Sequence, residues 1–212
     1  MKHLKFLFLG LGCMTVLSLN SCMKTEESDN GLTNSEISQC LTAVRGNYTG
    51  HLLYSAYNAQ KPSDDTDTLE IDWTITADTT LIVRQFPLAP ITEKIVDLNL
   101  KQALKEQSPF GELKCNMLFT MIDPYVEFLL APQKLDVPVF YNEQTHTLSV
   151  YFWFDSHSFG AKNLVTQDMN VYLVAAAAYL DDNTSNNLLN RDFSQTSQIA
   201  ILLTTMDLEE NE

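Results

Sequence analysis

Asp155, Ser156 and His157 supply the three residue types of acyl-transfer chemistry, yet they are consecutive in the chain. Nucleophile, base and orienting acid must meet end to end, so such triads are assembled from distant segments and three neighbours cannot form one. Histidines elsewhere are sparse: His3 lies in an N-terminal leader, His51 in an alternating run, and His146 stands 11 positions before His157. In a straight strand the last two are separated by up to roughly 35 Å, too far to share a metal ion. Glu70 and Asp72 fall on one strand face about 7 Å apart, a spacing compatible with the paired carboxylates of a glycosidase but produced by any alternating acidic strand. The chain holds no Gly-x-Ser-x-Gly elbow, glycine-rich phosphate loop, HExxH or EF-hand pattern. No catalytic, metal or cofactor residue is therefore assigned, and an enzyme is not expected.

The aromatic residues carry more. Tyr151 and Trp153 alternate with Val150, Phe152 and Phe154, so one strand presents an apolar face and an aromatic face. Two arrangements stay open. The strand is central and buried on both sides, or Tyr151 and Trp153 form a platform that stacks on sugar rings or a peptide, or that lines a barrel cavity.

A different chemistry is written at the N-terminus. Lys2, His3 and Lys5 precede an apolar run from Phe6 to Leu19, and Leu19-Asn20-Ser21-Cys22 closes it. A small residue directly before a cysteine, with Leu three positions before that cysteine, is what a lipoprotein signal peptidase cuts. Cys22 then becomes a diacylated N-terminus. The run is about 14 residues long, below the roughly 18 to 20 that span hydrocarbon, so a transmembrane anchor is the weaker reading. Two or three acyl tails, at roughly 0.8 kcal/mol per buried methylene, make such anchoring effectively permanent. The expected organisation is a signal peptide over 1–21, a lipidated flexible tether over 22–32 and a single β-rich domain over 33–212.

The tether sharpens the address. Met23-Lys24-Thr25-Glu26-Glu27-Ser28-Asp29 resembles the Lys-then-acid export signal of surface-exposed lipoproteins in Bacteroides-type bacteria. The resemblance implies lipid-anchored display at the outer membrane, facing the cell exterior; an ordinary solvated tether has the same composition. The full chain carries a formal net charge of −14, from 13 Lys and Arg against 27 Asp and Glu. Removal of the leader takes away two lysines and no acid. With no basic cluster to override that balance, nucleic acid is not an expected partner, and the membrane is met through the lipid alone.

At the start of the domain, Thr33-Asn34-Ser35-Glu36 has capping-box form, with Ile37, Leu41 and Val44 at helical spacing behind it. A short helix follows the tether. From Asn47 the period becomes two: Tyr48 to Tyr54, then Leu69, Ile71, Trp73 and Ile75 alternating with polar residues, then Thr79 to Phe86. One further helix is expected over about 92–107, ended by Pro109 and Gly111, and strands over 113–122, 125–130, 135–140, 147–154, 169–180 and 197–206. Val174 to Tyr179, despite four alanines, reads as part of a long strand because Val171, Tyr172 and Leu173 precede it. About nine strands at short spacing against two helices argue for an antiparallel β-sandwich or a barrel with one or two short helices. Cys40 and Cys115 stand 75 positions apart. They are either buried thiols or a disulfide.

Gly46-Asn47-Tyr48-Thr49-Gly50, the strand after it, and Ile82-Val83-Arg84-Gln85-Phe86-Pro87 resemble the opening of a group of Bacteroides lipoproteins of similar length and unknown function, grouped as a domain of unknown function. The Gly-x-Tyr-x-Gly opening is also similar to calycin-like lipoproteins, whose first barrel strand begins this way. The resemblance implies an all-β lipoprotein and carries no catalytic residues. The function expected is a non-catalytic binding or envelope-assembly module contacting glycan, peptide or an envelope protein. A calycin-like carrier of an apolar ligand is the alternative, and a surface glycan hydrolase a weaker one. Asp67-Thr68-Leu69 and Asp78-Thr79-Thr80 further resemble the sequon at which Bacteroides-type bacteria O-glycosylate exported proteins, with Thr68 and Thr79 as acceptors.

Overall fold

The computed structural model describes residues 31–55, 66–189 and 199–207. Cys22 and the tether up to residue 30 lie outside the described residues. The first described element is helix α1, Asn34–Val44, and the expected capping box starts it. Glu36 N–H donates to the Thr33 hydroxyl at 3.3 Å, while Thr33 N–H donates to the Glu36 carboxylate at 2.7 Å. Two orphan amides of the first turn are thus satisfied.

Among the described residues ten strands follow: β1 Gly46–Ser55, β2 Thr66–Ile75, β3 Thr80–Pro87, β4 Phe110–Met121, β5 Tyr125–Pro132, β6 Leu135–Tyr141, β7 Gln144–Phe152, β8 Asp155–Asn163, β9 Met169–Leu180 and β10 Ile199–Thr204. Each pairs antiparallel with its neighbours in the order β10-β1-β2-β3-β4-β5-β8-β9-β7-β6, and β10 also pairs with β9. That last pairing closes a ring from which only β6 and β7 stand out. The domain is an eight-stranded antiparallel barrel, as a calycin-like reading implies, and not an open sandwich. Closure removes the edges that a flat sheet would expose.

The excursion of β6 and β7 has a simple origin. Ala175 pairs with Ile199 of β10 on one side and with Phe152 of β7 on the other, so β7 and β8 lie along the same edge of β9. β5 with β6, and β7 with β8, are therefore the two arms of one long hairpin, each arm broken between its two strands. Its tip runs past the barrel rim. Gly111 on β4 lets it pack close: a Cβ there would lie 2.7 Å from the side chains of Leu135 and Val137. The outer edge of β6 is then covered by the Gln107 side chain, which donates to the Phe140 carbonyl at 2.7 Å and accepts from its N–H at 2.8 Å. Pro138, two positions earlier, has no N–H to offer, so this edge is blunted against strand addition.

Inward residues fill the barrel axis. Trp73, Phe86, Phe128, Leu52, Ile75 and Leu113 are among the largest fully buried side chains. Gly160 makes room for the Phe128 ring, which would stand 2.4 Å from a Cβ at that position. At one end, here the near end, α1 closes the barrel. The Tyr48 hydroxyl donates to the Val44 carbonyl, Lys162 Nζ donates to the Ala43 carbonyl at 2.8 Å, and that ammonium lies 5.6 Å from the Tyr48 ring centroid. Tyr48 in turn stacks on Trp73 at 5.5 Å. A cation set against the last carbonyls of α1 is favoured by the helix dipole, although burial pulls the Lys162 pKa down.

At the far end the chain departs from expectation. The single helix expected over about 92–107 is two, α2 Ala89–Lys94 and α3 Leu98–Gln107, giving three helices in all among the described residues. Ile95 leaves the helix to bridge Leu189, Val96 N–H bonds the Leu188 carbonyl, and Asp97 then caps α3 through the Asn99 and Leu100 amides. Tertiary pairing overrides an apolar pattern that ran on unbroken. A second correction is β8, which was not expected as a strand. Its inward positions are Ser158, Gly160 and Lys162, all buried, so the apolar alternation that announces a strand is missing. Cys40 and Cys115 form no disulfide: both are unpaired and buried, and burial pushes the Cys115 thiol well above its usual range.

Candidate binding surface

β7, β8 and β9 position the aromatic residues, and the register decides which way they face. Phe152 turns inward, edge-on to Phe86 at 6.0 Å, while Tyr151 turns outward and meets Tyr179 of β9 edge-on at 5.6 Å. The strand ends there, so Phe154 is exposed and not part of an apolar face. The chain then bulges between β7 and β8. Ser158, completely buried, pins the bulge: its hydroxyl donates to the Trp153 carbonyl at 2.6 Å and accepts from Val174 N–H at 3.3 Å. Held this way, Trp153 is 41% exposed and its ring lies 5.5 Å from that of His157.

One step further, Phe159 and Tyr172 are register partners and stack at 4.8 Å, both on the outer wall. Burial pushes the Tyr172 phenol up. Three aromatic pairs thus succeed one another along the outside of the hairpin: Tyr151 with Tyr179, Trp153 with His157, Phe159 with Tyr172. The last pair continues sideways into a row of outward apolar residues set by register. Leu129 pairs with Phe159, Leu202 with Tyr172, and Leu53 with Leu202.

Beside the first pair lies a polar network. Ser149, the register partner of Tyr179, donates to Asp136 at 2.6 Å and to Asp182 at 3.1 Å, and Lys134 reaches both carboxylates at 3.1 and 3.2 Å. Asp181 accepts from Thr147 N–H and pairs with His146 Nδ1 at 2.6 Å. Hydrogen bonds from Lys134 and Ser149 lower the Asp182 pKa, and the His146 hydrogen bond lowers that of Asp181. Asp136 and Asp182 are thus held as acceptors for the Ser149 hydroxyl, and Asp181 for the Thr147 N–H.

Tyr151 and Trp153 are therefore both on the outer side of one ribbon, but each ring is engaged with a different partner. Sequence reasoning missed Phe159, Tyr172, Tyr179 and His157 as parts of the same surface, because β8 was not read as a strand. Glu70 and Asp72 do share the outer face of β2; Glu70 lies opposite His51, and Asp72 accepts from the Thr49 hydroxyl at 2.6 Å. Thr68 is exposed on β2, and Thr79 is half-buried in the β2–β3 turn at φ 58° with its hydroxyl on the Asp78 carbonyl. Among the described residues no cluster of three His, Cys, Asp or Glu side chains could hold a metal ion, and no helix is long and apolar enough to cross a membrane.

The family model described as a domain of unknown function (DUF4840) matches residues 43–180. The chain belongs to this family. No curated protein and no solved structure matches it. The DUF4840 match takes in all six residues of the three aromatic pairs. It stops at the end of β9, so the closing strand β10 of this DUF4840 protein lies beyond the matched span.

Proposed function

We propose that this DUF4840 protein is a lipid-anchored binding module of the outer-membrane surface whose ligand stacks on the outer wall of the barrel. The observation that carries the reading is the distribution of aromatic rings. Trp73, Phe86 and Phe128 fill the axis, while Tyr151, Tyr179, Trp153, Phe159 and Tyr172 line the outside. A packed axis leaves little room for an internal guest, which weighs against the carrier. Flat rings beside fixed polar groups suit a sugar, whose C–H face stacks while its hydroxyls donate to Asp136 and Asp182 and accept from Lys134. Binding and not catalysis is the role proposed.

Affinity electrophoresis through gels containing soluble polysaccharides tests the surface. Tyr151→Ala and Trp153→Ala should each weaken retention about tenfold in a gel that retards the unaltered protein, equivalent to about 1.4 kcal/mol. Retention unchanged in both variants would remove the platform. The anchor has its own test. Cys22→Ala should leave the leader uncut by the lipoprotein peptidase and the protein without acyl chains. Wild-type mobility together with acyl mass in that variant would refute lipidation at Cys22.

A further inference from the structure

The near end of the barrel gathers exposed apolar residues that no part of the core requires. Val165 is 88% exposed, and Leu164 beside it, Tyr125 and Met206 are exposed as well. They are neighbours: Tyr125 is the register partner of Asn163, which opens the turn bearing Leu164 and Val165, and Met206 Sδ accepts from the Asn170 amide near the start of β9. The turn is firmly built. The Asn163 carboxamide oxygen accepts from Val165 N–H at 2.8 Å and Thr166 N–H at 3.2 Å, while Asn163 N–H donates to the Asp168 carbonyl at 2.9 Å. Leu164 and Val165 are therefore held out on a fixed tip.

This is the end at which the tether arrives. α1 lies across it, with Ala43 bonded to Lys162 one residue before Asn163 and Cys40 Sγ directed at the Met121 carbonyl. From Cys22 to Thr33 the chain has 11 steps. Fully extended they reach at most roughly 40 Å, so a lipid on Cys22 holds the barrel within that distance of the bilayer, and the near end is the one at which the chain enters. The Tyr151–Tyr179 pair and the β6–β7 tip lie towards the opposite end.

We propose that the near end is a foot seated on the lipid surface, with Leu164, Val165, Tyr125 and Met206 among the headgroups, so that the far end and the aromatic wall face outward. The inference rests on the anchor at Cys22 proposed above. Small apolar tips and a tyrosine with a polar end suit the interface, where a ring can be half dry and half wet. Asp123, Asp168 and Asp207 stand on the same rim, which disfavours an anionic surface and favours zwitterionic lipid.

The test uses the full lipidated protein in phosphatidylcholine vesicles, with an environment-sensitive dye on Val165→Cys and, separately, on Phe140→Cys at the far tip. Cys40 and Cys115 are buried and leave the new thiol as the reactive one. Quenching by lipids with a nitroxide near the headgroup should be several-fold stronger at position 165 than at 140. Equal quenching, or stronger quenching at 140, with the protein still sedimenting with the vesicles would overturn the foot while leaving the anchor standing. Failure to sediment would overturn the anchor itself, and the foot with it.

Discussion

Trp73→Ala should lower the melting temperature by about 10 °C, while Thr74→Ala, one residue along the same strand, should change it little. Trp73 is 2% exposed inside the barrel near the end that α1 closes, stacked on Tyr48 and flanked by Ile71 and Ile75. Truncating a buried tryptophan costs roughly 3 to 5 kcal/mol through lost contact and the cavity left behind, and each kcal/mol is worth about 2 to 4 °C in a domain of this size. One term works the other way. The Trp73 indole N–H has no hydrogen-bond partner, so its removal returns part of a desolvation cost of about 1 to 3 kcal/mol. Thr74 points outward and donates to Asn47 at 2.9 Å in an exposed bond. Thermal unfolding followed by circular dichroism decides the matter, and equal melting points for the two variants would invert the register of β2.

Gly50→Ala should be as damaging, although it adds a single methyl group. Gly50 lies on β1 where the barrel closes, and a Cβ there would stand 2.1 Å from the Thr204 carbonyl oxygen and 2.9 Å from its carbon. Both are backbone atoms of β10, so no side chain can swing aside. β1 and β10 must separate, which loosens the pairing of His51 with Thr204 and of Leu52 with Leu203. Overpacking costs typically 1 to 3 kcal/mol and more where backbone must shift. Denaturant unfolding should show the loss, with amide exchange quickening along β1 and β10 before other strands. Protection unchanged at the seam would mean that the closure is not tight at Gly50. By contrast Gly46, where the nearest atoms to an added Cβ would be those of the Tyr48 ring and hydroxyl at 3.9 Å, should tolerate alanine far better.

Much of this architecture can be read from local chemistry. The Thr33–Glu36 capping box starts α1 because its two reciprocal hydrogen bonds need only residues three apart. The alternation of Leu69, Ile71, Trp73 and Ile75 marks the buried face of β2, since a strand's side chains change sides at every residue. The long β9 survives its four alanines for the same reason, with Val171, Leu173 and Ala175 inward. These signals are local, and burial on one face is enough to leave them in the sequence.

What only the tertiary structure decided is non-local. Sandwich and barrel share the same alternation; the difference is the pairing of β10 with both β1 and β9, between residues far apart in the chain. β8 left no apolar pattern because its inward positions are a serine that pins a bulge, a glycine that admits a ring and a lysine that reaches a helix end, each meaningful only through its partner. The break between α2 and α3 is likewise made by Leu188 and Leu189 across the barrel end. The aromatic wall follows from these. Tyr151 and Trp153 were visible as a spacing, but Tyr179, Phe159 and Tyr172 join them only when register sets β8 against β9, because a strand's own sequence records which face is buried and not which strand lies beside it.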